Sequence, residues 1–398
     1  MQGTNNSRNK KCQTGNMDVC LSGTIWQARD WAWLAFTELN LGYAQSRQLV
    51  QAWPDIMQLV YEVDLHSLAL RAGTLKRWRE LRQVDLESHF QEQYRWLQQH
   101  AAQLLTWHDA RFPEQLKQLQ DCPGWLWVEG KVSLLVDPAI AMVGGRQASA
   151  SGLALAHQYA QALAAAGLTV VSGLAVGVDG ASHQGALDVA GDTIAILGSG
   201  LARVYPTRHQ ALAAQIVTNG GTLVSPWPLF LSAMPHQFPA RNSIVSGLSL
   251  GVLVVEAAPK SGSLITAKAA LEQGREVFAL PFSVLNKKAQ GSLDLIRDGA
   301  CLVYTPEQII AELAPMLTGS SVKSMTNKAV HDHTGPSDKA HLSVLLQQLL
   351  NQLGYDPLPV DIICQQMALP YAAVAAQLME LSLLGYVTEG PQGYVRIK

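Results

Sequence analysis

The sequence predicts an α/β protein: a Rossmann-like, doubly wound sheet with a small helical domain before it and a winged-helix-like domain after it. Three observations carry that reading. Between about Pro138 and Leu313, short β-rich apolar runs alternate with helical stretches, as in a parallel sheet covered by helices on both faces. From Trp26 to about Gln103, apolar residues recur at helical spacing. Near the C-terminus, three helical patterns precede two β-prone runs around a Gly-Pro turn.

In chain order, residues 1–24 are polar and without periodicity and are read as a disordered tail. Residues 25–104 are read as the helical domain. Its apolar positions include Trp31, Trp33, Leu34 and Phe36, then Leu49, Trp53, Met57 and Leu59, punctuated by Gly42 and Pro54. A connecting segment containing Trp107, Phe112, Leu116, Leu126 and Trp127 opens the central domain, 105–315. Its strand candidates are 139–143, 168–172, 193–197, 222–225, 251–256, 276–280 and 301–304. Residues 316–339, rich in Ser, Thr, Lys, Gly and Asp, read as a flexible linker. The last domain, 340–398, has helical patterns at 341–353, 359–367 and 370–384. No internal repeat is found.

Composition narrows the function classes. With 398 residues, 48% hydrophobic and 15% charged, the chain can bury several cores. No run of eighteen apolar residues and no secretory h-region occurs, so a cytoplasmic location without membrane contact is expected. Cys12, Cys20, Cys122, Cys301 and Cys364 are widely spaced, which predicts free thiols and no metal site. The net charge of −2 supplies no long-range positive field, so a nucleic-acid contact must come from a local cationic pocket.

The most informative local feature is Gly144-Gly145-Arg146, directly after the first central strand and before a helix that starts near Ser151. In a doubly wound sheet such a turn lies where strand carboxyl ends open a crevice. Glycines let backbone N–H groups approach an anion, the helix N-terminus adds positive partial charge, and a guanidinium can grip phosphate oxygens. By spacing alone the same turn also fits a tight connection that binds nothing.

Further segments give it context. These are Ser172-Gly173-Leu174-Ala175-Val176-Gly177-Val178-Asp179 with Ser182-His183, then Gly198-Ser199-Gly200 and Tyr205-Pro206. Phe238-Pro239-Ala240-Arg241-Asn242, Glu256, Lys260-Ser261-Gly262-Ser263-Leu264-Ile265-Thr266-Ala267 and Glu272-Gln273-Gly274-Arg275 follow in that order. Taken together, these segments resemble the DNA-processing protein A (DprA/Smf) family over roughly residues 105–310, and more loosely at both ends, with a SAM-like helical domain at the front.

The resemblance implies sequence-independent binding of single-stranded DNA, protection of incoming DNA in natural transformation, loading of the RecA recombinase, and a homodimer formed through the Rossmann-like domain. It implies no catalysis and no cofactor. Carried over, the phosphate-binding positions are Gly144, Gly145 and Arg146, with Ser172 and Gly173, Arg241 and Asn242 on the rim, and Lys260, Ser261, Gly262, Ser263 and Thr266 closing the pocket. Phe238 is a candidate base-stacking face, weighed against a place in the core.

Several positions depart from the family pattern. Gly145 replaces a serine, Val176 a basic residue, Pro226 a glutamate, Ser243 an arginine and Phe282 a glycine. Fewer cations predict weakened or altered DNA affinity. Among the remaining cations, Arg203, Lys268, Lys287 and Lys288 read as solvated surface charges.

The alternative is a phosphoribohydrolase-like enzyme on a related fold. Such enzymes carry PGGxGTxxE, and here Ala269 stands where that glutamate would be, leaving no evident acid or base. Glu256 is expected to cap backbone N–H groups of the Ser261–Thr266 turn, and His183 to be structural. GxGxxG is absent after the first strand, which disfavours a nicotinamide enzyme. The last helical pattern, 370–384, holds no lysine or arginine, so a packing or protein-contact role is expected there rather than groove reading.

Overall fold

The computed structural model describes residues 26–317, 342–354, 357–390 and 393–397. The predicted tail and all of the predicted linker beyond residue 317 lie outside the described residues, as do Cys12 and Cys20. The helical unit comprises Ala28–Thr37 (α1), Tyr43–Ala52 (α2), Ala72–Leu81 (α3), Leu86–His89 (α4) and Gln91–His100 (α5). Every residue of α1 from Trp31 to Thr37 is buried, so this part of the helix is enclosed on all sides and forms the hub of the unit. Gly42 is the N-cap of α2.

Helix α5 ends at Ala101, which takes a left-handed conformation, and the chain enters Gln103–Thr106 (β1). The division expected between residues 104 and 105 therefore falls inside a strand. After the short helix Glu114–Lys117 (α6) comes Trp125–Gly130 (β2), antiparallel to β1. By sequence this whole stretch is expected to be a connection. Trp125 and Trp127 face the core shared with the helical unit, while Leu126 and Val128 face another, so the strand shows no apolar–polar alternation.

The seven predicted strands all form, two with the predicted bounds and five shortened at an end. They are Ala139–Val143 (β3), Thr169–Ser172 (β4), Thr193–Ile196 (β5), Thr222–Ser225 (β6), Gly251–Val254 (β7), Glu276–Ala279 (β8) and Cys301–Leu302 (β9). The helices between and after them are Ala150–Ala165 (α7), Val178–Asp188 (α8), Gln210–Thr218 (α9), Gln237–Gly247 (α10), Gly262–Glu272 (α11), Gln290–Arg297 (α12) and Pro306–Leu313 (α13).

Together these strands make a nine-stranded sheet in the order β1-β2-β6-β5-β4-β3-β7-β8-β9. It is parallel from β6 to β9, and β2 joins it antiparallel to β6. Along β3, Ile140 and Met142 pack with Ala156, Ala160 and Leu163 of α7, whereas Ala139, Ala141 and Val143 face Ile244, Val245, Ala267 and Ala270 of α10 and α11. Helices thus cover both faces of the sheet. The chain winds outward from β3 to β6, then crosses to β7 on the other side, so the switch point opens beyond the carboxyl ends of β3 and β7.

After α13, the turn Ala314–Leu317 buries Leu317, so residues 316 and 317 belong to the folded domain and not to the linker. The last unit, Val344–Gln352 (α14), Val360–Met367 (α15), Tyr371–Leu383 (α16), Val387–Gly390 (β10) and Gly393–Arg396 (β11), has its own core and the expected antiparallel pair.

Gly177, where β4 gives way to α8, has φ +85°, and a Cβ there would lie 2.2 Å from the carbonyl oxygen of Gly145. Gly220 has a similar φ of +84° with nothing within 4 Å of the added carbon. Chemical denaturation of Gly177→Ala is expected to show a loss of about 2–4 kcal/mol, because backbone strain and a backbone collision add together. Gly220→Ala carries the strain alone and is expected to cost about 1 kcal/mol.

Candidate nucleic-acid interface

At the switch point lies a cavity of about 830 Å³. All of the predicted phosphate-binding positions line it except Ser172, which is fully buried and donates its hydroxyl to the Met142 carbonyl at 2.6 Å. Ser172 is a strand-to-strand tie and takes no part in the cavity surface.

The GGR turn is held from two sides. The Gly145 N–H donates to the Glu256 carbonyl at 2.6 Å, and the Gly145 carbonyl accepts the Val178 N–H at 3.3 Å. A Cβ on Gly144 would lie 2.5 Å from Val178. These glycines therefore allow close approach of three segments, and the Gly145 amide is used inside the protein, not offered to an anion.

Glu256 is fully buried and accepts the Ser149 N–H at 2.6 Å and the Ser149 hydroxyl at 3.0 Å on one oxygen, and Asn286 Nδ2 at 2.8 Å on the other. It is a backbone cap, as expected, but of the start of α7 and not of the Ser261–Thr266 turn. Ser149 in turn caps the Gly152 N–H. Gly152 is essential here, since a Cβ would sit 2.2 Å from the Glu256 carboxylate.

Arg146 is exposed at the mouth of the cavity. Its guanidinium lies over the ring of Phe238, 5.4 Å from the centroid, and among the described residues no carboxylate lies within ion-pair distance of it. Phe238 is half-buried in the cavity wall, not in the core. Gly198 makes the seat for it, because a Cβ there would meet the ring at 2.7 Å, and Tyr205 packs at 5.7 Å between centroids. Lys260 and Lys288 are exposed and also line the cavity. Lys288, expected to be a solvated surface charge, is exposed, and the loop before α12 places it at the cavity.

Arg241 does not stand free on the rim. It is only 5% exposed; its guanidinium donates to the Ile196 carbonyl and, at 3.1 Å, to Asn242 Oδ1. It lies against Gly173, where any Cβ would collide with it. Burial pushes its pKa below the usual arginine range, and the nearby Asp179 charge opposes that shift. Asp179, also buried, accepts the Gly173 and Ala175 N–H groups at 3.1 and 3.3 Å. Burial raises its pKa, and Arg241 pulls the other way. Together they form a charged floor that shapes the loop after β4.

The third wall is the start of α11. Ser261 is its N-cap, with its hydroxyl 2.6 Å from that of Ser263, and the Gly262 carbonyl accepts Asn242 Nδ2 at 3.3 Å. A Cβ on Gly262 would meet nothing within 4 Å, so this edge is open. Thr266 is buried at the base.

Of the five departures, only Gly145 lines the cavity. Ser243 faces a separate hollow of about 1000 Å³ on the other side of α10, and Val176, Pro226 and Phe282 lie outside both. Ala269, at the position of the absent enzymatic glutamate, also faces that second hollow. Both carboxylates that line the cavity, Glu256 and Asp179, are already committed to backbone amides. Among the described residues no group of three or more His, Cys, Asp or Glu is placed to hold a metal ion, and Cys122, Cys301 and Cys364 are free thiols.

Comparison with known proteins decides the family. Residues 103–314 match the family described as DNA recombination-mediator protein A, and residues 334–393 match the DprA winged helix domain. Protein Smf of Escherichia coli is 37% identical over 366 residues, 92% of this chain and 95% of that protein. The chain belongs to the DprA/Smf family. DNA processing protein DprA of Streptococcus pneumoniae is 39% identical over 204 residues, 51% of this chain and 72% of that protein. The X-ray structure of DprA from the same species aligns with a TM-score of 0.62 at 31% identity, covering 72% of this chain and 99% of that one. In this member of the family, then, the Rossmann-like core carries an exposed arginine over an aromatic ring at its switch point.

Beneath the site, His183 of α8 is fully buried. The Thr193 hydroxyl donates to the Val170 carbonyl at 2.7 Å, so its oxygen accepts from His183 Nδ1 at 2.8 Å and the ring is the neutral Nδ1–H tautomer. Burial, with the charges of His209 and Arg241 adding to it, lowers the His183 pKa to about 3. The folded state therefore resists a proton that the unfolded chain accepts near pH 6.5. Its contribution to stability is complete above about pH 6.5 and is lost progressively as the pH falls toward 3. The denaturation midpoint of the wild type should fall on acidification across that window, and His183→Gln should flatten this pH dependence. Arg241→Ala, which strands the Asp179 charge, is expected to cost about 3–5 kcal/mol in stability, while Arg146→Ala leaves the unfolding midpoint unchanged.

Proposed function

We propose that this protein binds single-stranded DNA without regard to sequence, as a non-catalytic, cytoplasmic DNA chaperone in natural transformation that protects the strand and passes it to the RecA recombinase. The observation that carries the reading is the exposed Arg146 guanidinium stacked over Phe238 at the mouth of the cavity, without a carboxylate partner among the described residues. A guanidinium grips phosphate oxygens bidentately, and when it swings to a phosphate it uncovers the ring of Phe238 for any base. Lys260 and Lys288 extend the cationic wall for the neighbouring phosphates.

Membership of a family named for DNA processing supports the substrate class. The recombinase partnership and a homodimer through the Rossmann-like domain rest on the family resemblance. The engagement of Glu256 and Asp179 with backbone amides favours binding over hydrolysis, since neither is left to act as acid or base. Helix α16 carries no lysine or arginine, which favours a protein-contact or packing role for the last domain.

The test is a fluorescence-anisotropy titration on single-stranded and duplex oligonucleotides over a range of salt. Arg146→Ala is expected to weaken single-strand binding by about 1–2 kcal/mol for all sequences and to reduce the salt slope by about 1. Unchanged affinity and slope would remove the site from consideration.

A further inference from the structure

We propose that Val284 and Leu285, at the tip of the loop between β8 and α12, form an apolar wall that packs against unpaired bases of a DNA strand whose phosphates occupy the cavity. The inference rests on the single-strand reading above and adds a base-contacting element to it.

Both side chains are 85% exposed, more than any other large apolar side chain among the described residues. Isolated exposed aliphatics are ordinary on protein surfaces, but two neighbours on a tightly built turn call for a partner. The turn is built from Asn286. Its N–H donates to the Ser283 carbonyl at 2.9 Å, its Oδ1 accepts the Lys288 N–H at 3.0 Å, and its carbonyl accepts the N–H of the buried Ala289 at 3.0 Å. Its side chain then donates to Glu256 Oε1 at 2.8 Å. Glu256 also holds the start of α7 through Ser149. One buried carboxylate therefore fixes the apolar tip relative to the turn that carries Arg146.

The order of residues along the loop fits a strand with a charged edge and apolar faces. Val284 and Leu285 are followed, after Asn286, by Lys287 and Lys288, and Lys288 lines the cavity. Cations meet phosphates, and aliphatic side chains meet base faces irrespective of base identity. A second copy of the chain fits less well, because a two-fold contact across this tip would bring the two lysine pairs of like charge together. In a duplex the base faces are stacked inside and out of reach, so this wall also gives a physical basis for choosing single strands over duplex.

The experiment uses the full chain and its Val284→Ser/Leu285→Ser double variant with labelled oligothymidylate, an abasic strand of equal length, and sedimentation of the free protein. The wild type is expected to prefer the base-bearing strand. The double variant is expected to bind that strand about tenfold more weakly, as for two aliphatic side chains losing partial burial, with little change on the abasic strand. Leu285→Phe, which keeps an apolar face, is expected to retain binding. A double variant that matches a binding-competent wild type on oligothymidylate, or that loses equally on the abasic strand, overturns the inference alone. A shift of the variant to a smaller oligomer assigns the tip to a contact between copies and overturns it as well. A wild type that binds neither strand overturns the single-strand reading and this inference with it.

Discussion

The site depends on one buried carboxylate. Glu256 follows β7 at the switch point and ties that strand end to two segments distant in sequence: residues 145–149, through its backbone carbonyl on the GGR turn and its carboxylate on Ser149 at the start of α7, and the loop before α12 through Asn286. A carboxylate taken fully out of water is tolerable only when its oxygens accept hydrogen bonds, and each charge-assisted bond contributes about 1.5–3 kcal/mol. The start of α7 adds the positive end of the helix dipole beside that charge. Gly152 leaves the room that the carboxylate occupies. Removing any of these partners would loosen the frame on which the exposed groups stand.

That frame separates two kinds of cation. Arg241 is buried under the cavity, its guanidinium spent on a backbone carbonyl and Asn242, with Asp179 as the opposing charge. It gives shape. Arg146, Lys260 and Lys288 remain at the surface, where they can exchange water and counterions for an anionic ligand. A chain with a net charge of −2 thus presents positive charge where its sheet opens, and the committed carboxylates beneath the opening do not compete for it.

The helical unit is not a separate bead on the chain. Trp125 and Trp127 of β2 share a core with Trp31, Trp33 and Phe36 of α1 and with Leu223 of β6, so the antiparallel extension of the sheet serves as the platform on which the helices sit. The second hollow, between α2, α6, α10 and α11, lies at this junction, and Ser243 and Ala269 face it. Departures from the family pattern that read as losses from the phosphate site by sequence alone therefore fall mostly elsewhere in space.

By itself the sequence determined the fold class, the seven parallel strands, the three terminal helices with their β pair, and the position of the glycine-rich turn, because these follow from local periodicity and local turn chemistry. It also singled out Arg146 and Phe238. The strands β1 and β2 were hidden because burial on both faces erases the alternation that marks a half-buried strand; the unbroken WLWV run was the one available signal. Only the tertiary structure decided which arginine is free and which is floor, that Ser172 binds a neighbouring strand, and that Lys288 returns to the cavity. Those outcomes depend on long-range packing: a side chain's exposure and its partners are set by segments a hundred residues away, such as Glu256 against Ser149, and no local pattern encodes them.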